Sequence, residues 1–238
     1  MAGHSKWKQI KHKKAITDTK RGAAFTKLIK EITIAARLCG GDPNGNARLR
    51  VLLEKAKAIN MPLENAQRAI KRGTGELPGV SYEQALYEGY APHGIAVLVE
   101  VLTDNKNKAV AELRHAFTKY GGTIAEAGAV NWMFERKGEI RVAAHGMSED
   151  ALLEKLIEYE VENIMLDNDT IYIHCPSKEL ETVREAVSAL GLTVQSAEIE
   201  WMPKTPISLE DAHVQQVLSF LEAIQDLEDV QNVYTNLA

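Results

Sequence analysis

Apolar positions change their spacing along the chain, and each change marks a different kind of element. From Met1 to Thr17 the residues are polar and basic with no sustained apolar period, which predicts an arm ordered only in part when free. From Asp18 to Arg37, Phe25, Leu28, Ile29, Ile32 and Ala36 recur three and four residues apart, the mark of an amphipathic helix that Asp18 caps and Gly40-Gly41 stops. After the turn Asp42-Pro-Asn-Gly-Asn, a second helix is expected over Ala47 to Ile59, burying Leu49, Leu52, Leu53 and Ala56. A third begins with Pro62 in its first turn and ends at Gly73. Three short helices with short connections make a small bundle.

The run Gly73-Thr-Gly-Glu-Leu-Pro-Gly breaks both periods, so a domain boundary is placed there. Strand signals follow at Ala85–Tyr90 and Ile95–Leu102, joined through Pro92-His93-Gly94. Then come a helix over Asn107–Tyr120 and a strand or two through Phe134. After Gly138 the pattern reads strand (139–143), helix (148–159), two strands (161–166 and 170–175), helix (178–190) and strand (193–201), which is the split βαβ order of ferredoxin-like folds. An amphipathic helix over Ser208–Leu227 and a strand at Val230–Tyr234 close the sequence. The stretch from Ser81 to Phe134 lacks a second covering helix and a fourth strand. The expected class is therefore α+β: an N-terminal three-helix domain (1–75) followed by two α/β-sandwich domains. The central one is built from 80–134 plus 203–238, and residues 135–202 are inserted into it as a ferredoxin-like domain.

Charge sharpens this division. From Met1 to Arg72 there are 17 Lys and Arg against 5 Asp and Glu, a net of +12, whereas Gly73 to Ala238 has 11 against 28, a net of −17. A total of −5 thus conceals a strongly dipolar chain whose basic third and acidic remainder have different partners. No window approaches the ~18 apolar residues of a membrane span. No secretory leader is recognised, and Cys39 and Cys175 form no C-x-x-C pattern, so both are read as small buried thiols of a cytoplasmic protein.

No enzyme signature stands out. There is no P-loop, no G-x-G-x-x-G after a strand, no H-E-x-x-H and no nucleophile elbow; Gly73-Thr-Gly is too short for a phosphate cradle, and His93 has no visible carboxylate partner. No cofactor, metal or small-molecule substrate is expected. The basic third carries the stronger signal: Lys6, Lys8, Lys11, Lys13 and Lys14 crowd the arm around Trp7, a mixture suited to phosphate neutralisation with an indole stacking on a base. Lys20, Arg21, Lys27, Lys30 and Arg37 extend the charge along the first helix, and Arg68, Lys71 and Arg72 gather it at the end of the third. The bland alternative is a solvated surface, with Trp7 as a staple packed on the bundle.

Several stretches resemble one family. Ala2-Gly-His-Ser-Lys-Trp, Arg21-Gly, Phe25-Thr-Lys, Gly40-Gly-Asp-Pro, Lys55-Ala-Lys-Ala, Asn60-Met-Pro and Arg68-Ala-Ile-Lys resemble the YebC/PmpR family of bacterial regulators and the related mitochondrial translational activator of cytochrome c oxidase. The likeness continues through Glu88-Gly-Tyr, Leu102-Thr-Asp-Asn, Glu112-Leu-Arg-His, Trp132-Met-Phe-Glu and Asp229-Val-Gln-Asn-Val-Tyr. The resemblance implies three domains and a cytoplasmic, non-enzymatic protein acting on gene expression, with members generally labelled DNA-binding transcriptional regulators.

The expected function is a nucleic-acid-binding regulator of gene expression that grips phosphates with its basic N-terminal domain. An alternative, which the resemblance implies because other members look like translation factors, is a ribosome-associated factor that binds ribosomal RNA and assists synthesis through proline runs. A second alternative is a protein-interaction module whose acidic domains take a basic protein partner. Lysines supply affinity without sequence information, so charge does not separate DNA from RNA.

Overall fold

A computed structural model describes Trp7, residues 18–144 and residues 146–238, with side chains of the continuous chain from Gly22 onward. The helical part comprises α1 (Asp18–Cys39), α2 (Ala47–Ala58) and α3 (Leu63–Gly73). Leu28, Ile32 and Ala35 of α1 meet Leu49, Leu52 and Ala56 of α2 and Ala66 and Ala69 of α3 in one core, with Met61 closing it. Asn46 joins the first two helices: its Nδ2 donates to the carbonyls of Ala35 and Gly40, and its Oδ1 accepts the Leu49 N–H as the cap of α2. Small residues let α3 approach α1 closely. At Gly73, where the third helix ends as the sequence pattern indicates, a Cβ would stand 2.4 Å from the Thr33 carbonyl oxygen.

The chain divides into two compact units, one holding the described residues up to Asn131 together with Ile207–Ala238, the other Trp132–Pro206. The first unit continues with β1 (Glu83–Tyr90), β2 (Ala96–Thr103), α4 (Lys106–Lys119) and β3 (Thr123–Ile124), and includes α7 (Asp211–Gln225) and β8 (Val230–Thr235). Its strands pair antiparallel in the order β3-β1-β2-β8. Val97, Val99 and Val101 alternate along β2 onto Leu113 and Phe117 of α4 and Val217, Phe220 and Leu221 of α7. Phe117 meets Phe220 edge to face at 4.9 Å, the arrangement that ring quadrupoles favour. The helical residues and the central sheet belong to this same unit.

The second unit runs β4 (Phe134–Ala143), α5 (Glu149–Lys155), β5 (Asn163–Asp167), β6 (Thr170–Pro176), α6 (Leu180–Ala189) and β7 (Val194–Pro203). All pairings are antiparallel and the order is β5-β6-β4-β7, so the expected α+β class and ferredoxin-like order are both present. Ile140, Val142, Ile171 and Ile173 face Leu152, Leu156, Val183 and Val187 in its core. β4 starts five residues earlier than the sequence pattern indicates and passes straight through Gly138, where a Cβ would lie 2.8 Å from Cys175 Sγ and 3.0 Å from Leu180 Cδ1. That glycine marks close packing of β4 against its neighbours, not a break. The expectation for the cysteines holds for Cys175, whose burial pushes its thiol up to about 11, but not for Cys39, which is exposed at the end of α1.

A buried carboxylate organises one loop of the first unit. Glu88 on β1 accepts the N–H groups of Gly128, Val130 and Asn131 at 2.7, 2.7 and 2.9 Å. Burial pushes its carboxyl up, and the three donors outweigh that effect and hold it below its ordinary 4.5. Because the folded value lies below the unfolded one, this stabilisation is complete above the unfolded value and disappears as pH falls through the folded one. Glu88→Gln is expected to cost about 1–3 kcal/mol at neutral pH. It should also flatten the acid limb of stability, as read from urea midpoints across the carboxylate range.

Candidate nucleic-acid interface

The core of the helical bundle decides which basic residues reach solvent. Because Ala66 and Ala69 of α3 turn inward, Arg68, Lys71 and Arg72 stand together on its exposed side at three- and four-residue spacing. On α2, burial of Leu49, Leu52 and Ala56 leaves Arg48, Arg50 and Lys57 exposed. Among the described residues, no ion pair engages any of these six. These six exposed cations outnumber the exposed carboxylates Glu54 and Glu64 of the same two helices, an excess of positive charge that attracts a polyanion. Arg68, Lys71 and Arg72 were singled out by sequence, whereas Arg48, Arg50 and Lys57 were not, because basic positions on a short amphipathic helix look like any solvated face.

The basic residues of α1 do something else. Lys27 Nζ donates to the carbonyl of Gln225, the last residue of α7, at 2.6 Å. Lys30 is buried and donates to Asp229 Oδ1 at 2.5 Å, while Asp229 Oδ2 accepts from Thr103 Oγ1 at 2.8 Å. Arg37 Nη1 reaches Ser81 Oγ at 2.7 Å. This helix therefore uses its cations on the end of α7, on Asp229 just before β8 and on Ser81 just before β1, and the expected phosphate stripe is not continued by Lys27. Lys6, Lys8, Lys11, Lys13 and Lys14, and the side chains of Lys20 and Arg21, lie outside the described residues.

Trp7 corrects the sequence expectation most sharply. Its indole is only 2% exposed, packed in the core of the central sheet and its helices, and its Nε1 donates to the Val233 carbonyl at 3.1 Å. A ring enclosed this way presents no face to a base; the apolar area it buries and the satisfied N–H explain its position. The exposed indole is that of Trp132, 65% exposed in the turn Asn131–Met133. The exposed Lys204 donates its backbone N–H to the Met133 carbonyl at 2.9 Å. The sequence pattern carries strand signals through Phe134 and does not set Trp132 apart.

His93 adopts φ 63° in the Pro92–Gly94 turn, stacks on His213 with ring centroids 3.9 Å apart, and shares a 2.7 Å hydrogen bond with Gln216 Oε1. Among the described residues no cluster of three or more His, Cys, Asp or Glu side chains is suited to a metal, and no helix is long and apolar enough to cross a membrane. In the second unit Glu139 lies between His174 Nε2 at 3.1 Å and Arg141 Nε at 3.2 Å, a buried polar group that no sequence motif announced.

A basic helical bundle followed by two antiparallel four-stranded sheets with covering helices defines an α+β protein of two compact units. The family description "TACO1/YebC protein N-terminal domain" matches residues 5–76, and "TACO1/YebC second and third domain" matches residues 82–237. The chain belongs to the TACO1/YebC family. Two relatives named probable transcriptional regulatory protein are similar over nearly their whole length. That of Desulfosudis oleivorans is 52% identical over 236 residues, covering 99% of this chain and 96% of the relative. That of Persephonella marina is 50% identical over 238 residues, covering 99% and 95%. The crystal structure of a conserved hypothetical protein from Aquifex aeolicus superimposes with a TM-score of 0.84 at 44% identity, covering 93% of this chain and 91% of that one.

Proposed function

We propose that this protein is a non-enzymatic, cytoplasmic regulator of gene expression that binds nucleic acid through the exposed face of α2 and α3, acting on DNA as a transcriptional regulator. The observation that carries this reading is the set of six exposed cations, Arg48, Arg50, Lys57, Arg68, Lys71 and Arg72, on one small bundle. The names of its relatives agree with it. Neutralisation of about six phosphates releases counterions and gives a slope of log affinity against log salt of about −5 on duplex DNA and −4 on single strands. The combined change Arg68→Glu, Lys71→Glu and Arg72→Glu is expected to weaken binding at least about tenfold and to flatten that slope by about three. Fluorescence anisotropy titrations across salt measure both quantities; an unchanged slope would falsify the assignment.

A second reading, a ribosome-associated factor that binds ribosomal RNA and helps synthesis through proline runs, has Trp132 in its favour. An exposed indole suits splayed single-stranded bases better than a stacked duplex. In the same titrations Trp132→Ala should cost about 1–3 kcal/mol on structured RNA and nothing on duplex DNA if this reading holds. Equal affinities for both targets leave the DNA reading standing.

A further inference from the structure

The inserted unit carries apolar side chains on an acidic surface. Between Ser148 and Asp169 there are 8 carboxylates and one lysine, Lys155. Within that stretch Leu153 is 49% exposed, Ile157 78% and Leu166 43%. They are not surplus core, because Leu152 and Leu156 on the same segment already fill the interior. Leu153 and Ile157 stand four residues apart on the outward side of α5 and the turn that follows it. Glu149 Oε1 accepts the Leu166 N–H at 2.6 Å, which fastens the start of α5 to the end of β5. The Leu153–Ile157 ridge thereby runs alongside the strand that carries Leu166, and β5 is the outermost strand of its sheet.

Charge narrows the occupant. Lys137 and Lys178 are paired with Glu162 and Glu160, whereas among the described residues no ion pair engages Asp150, Glu154 or Glu158 beside the ridge. These carboxylates repel a nucleic acid. A second copy of the same face would set each row of carboxylates against its like. The complementary ligand has apolar anchors along one side and lysine or arginine at its borders. We propose that the α5–β5 face docks a basic amphipathic segment of a protein partner, with Leu153, Ile157 and Leu166 receiving its apolar side chains and Asp150, Glu154 and Glu158 its cations. This site is separate from the basic face of α2 and α3, and its failure would leave the nucleic-acid reading untouched.

The test uses the full chain and a fluorescein-labelled helical peptide of leucine and lysine with its leucines on one side. Controls are a peptide of the same composition in scrambled order and a leucine–glutamate counterpart. Anisotropy should show binding of the first alone. Leu153→Ser with Ile157→Ser should weaken binding at least about tenfold. So should Asp150→Lys with Glu154→Lys, while Leu190→Ser, at an exposed leucine just past the end of α6 and outside the proposed face, leaves it unchanged. These positions are exposed, so thermal unfolding should stay near that of the parent. The proposal is overturned if the serine pair binds the peptide as well as the parent, or if the scrambled peptide binds equally. It is also overturned if sedimentation shows a dimer that the serine pair dissociates, which would make the face homotypic.

Discussion

Trp7→Ala is expected to lower stability by about 3–5 kcal/mol, the loss typical of deleting a large buried aromatic side chain. The indole is enclosed by a core to which Val97, Val99, Leu221 and Val233 belong, so alanine would leave a cavity that these close-packed side chains fill only in part. Trp7→Phe separates the two contributions. It keeps much of the apolar contact but abandons the Val233 carbonyl that Nε1 now satisfies, at about 1 kcal/mol for the hydrogen bond. Urea denaturation measures both variants. The decisive companion is nucleic-acid affinity under conditions where each remains folded, which should match that of the parent. A variant of normal stability whose affinity has dropped would return Trp7 to the role of base-stacking residue.

Asp229→Ala should be comparably damaging, about 3–5 kcal/mol, because it strands a buried ammonium. Lys30 has no exit to solvent, and the remaining nearby acceptor is the Glu228 carbonyl at 3.4 Å. Thr103 loses its acceptor at the same time. Replacing both partners with apolar residues of similar size, Lys30→Met with Asp229→Leu, should recover most of the loss, since two desolvated charges offset little more than their own burial. A double-mutant cycle read by chemical denaturation gives the coupling directly. Additive single effects would mean that the two side chains do not act together. The pair lies 199 positions apart in sequence, so its coupling also measures how tightly α1 is held to the central sheet.

The order of elements was legible because helices and strands repeat with different periods, and nearly every segment here keeps one period cleanly. The valines of β2 alternate, the α2 leucines recur at three and four, and the turn Asp42–Asn46 separates α1 from α2. Boundaries slipped where a residue type has two uses: Gly138 reads as a break but serves as a point of close packing. Within the candidate interface, Arg68, Lys71 and Arg72 stood out in sequence only as a cluster of charge at the end of a helix; that they are exposed follows from Ala66 and Ala69 turning into the core. The roles of Lys27 and Trp7 were not legible. What they do depends on Gln225 and Val233, whose proximity has no local trace in sequence, and a lysine bound to a distant carbonyl looks the same in the sequence as a lysine awaiting a phosphate. Glu88 escaped notice likewise, since three backbone donors leave no motif.

The pairing of β8 with β2 sets a timetable for synthesis. The Ala96 N–H is met by Asn236 Oδ1, 140 positions later, whereas every strand of the inserted unit lies within Trp132–Pro206. On a translating ribosome the inserted unit has all its strands long before the sheet that carries it, and the Trp7 indole has no β8 carbonyl to meet until Val233 has emerged. A nascent chain halted before Asp211 would carry a finished appendage on an unfinished base. Its open β2 edge and uncovered valines are the features that chaperones and proteases recognise.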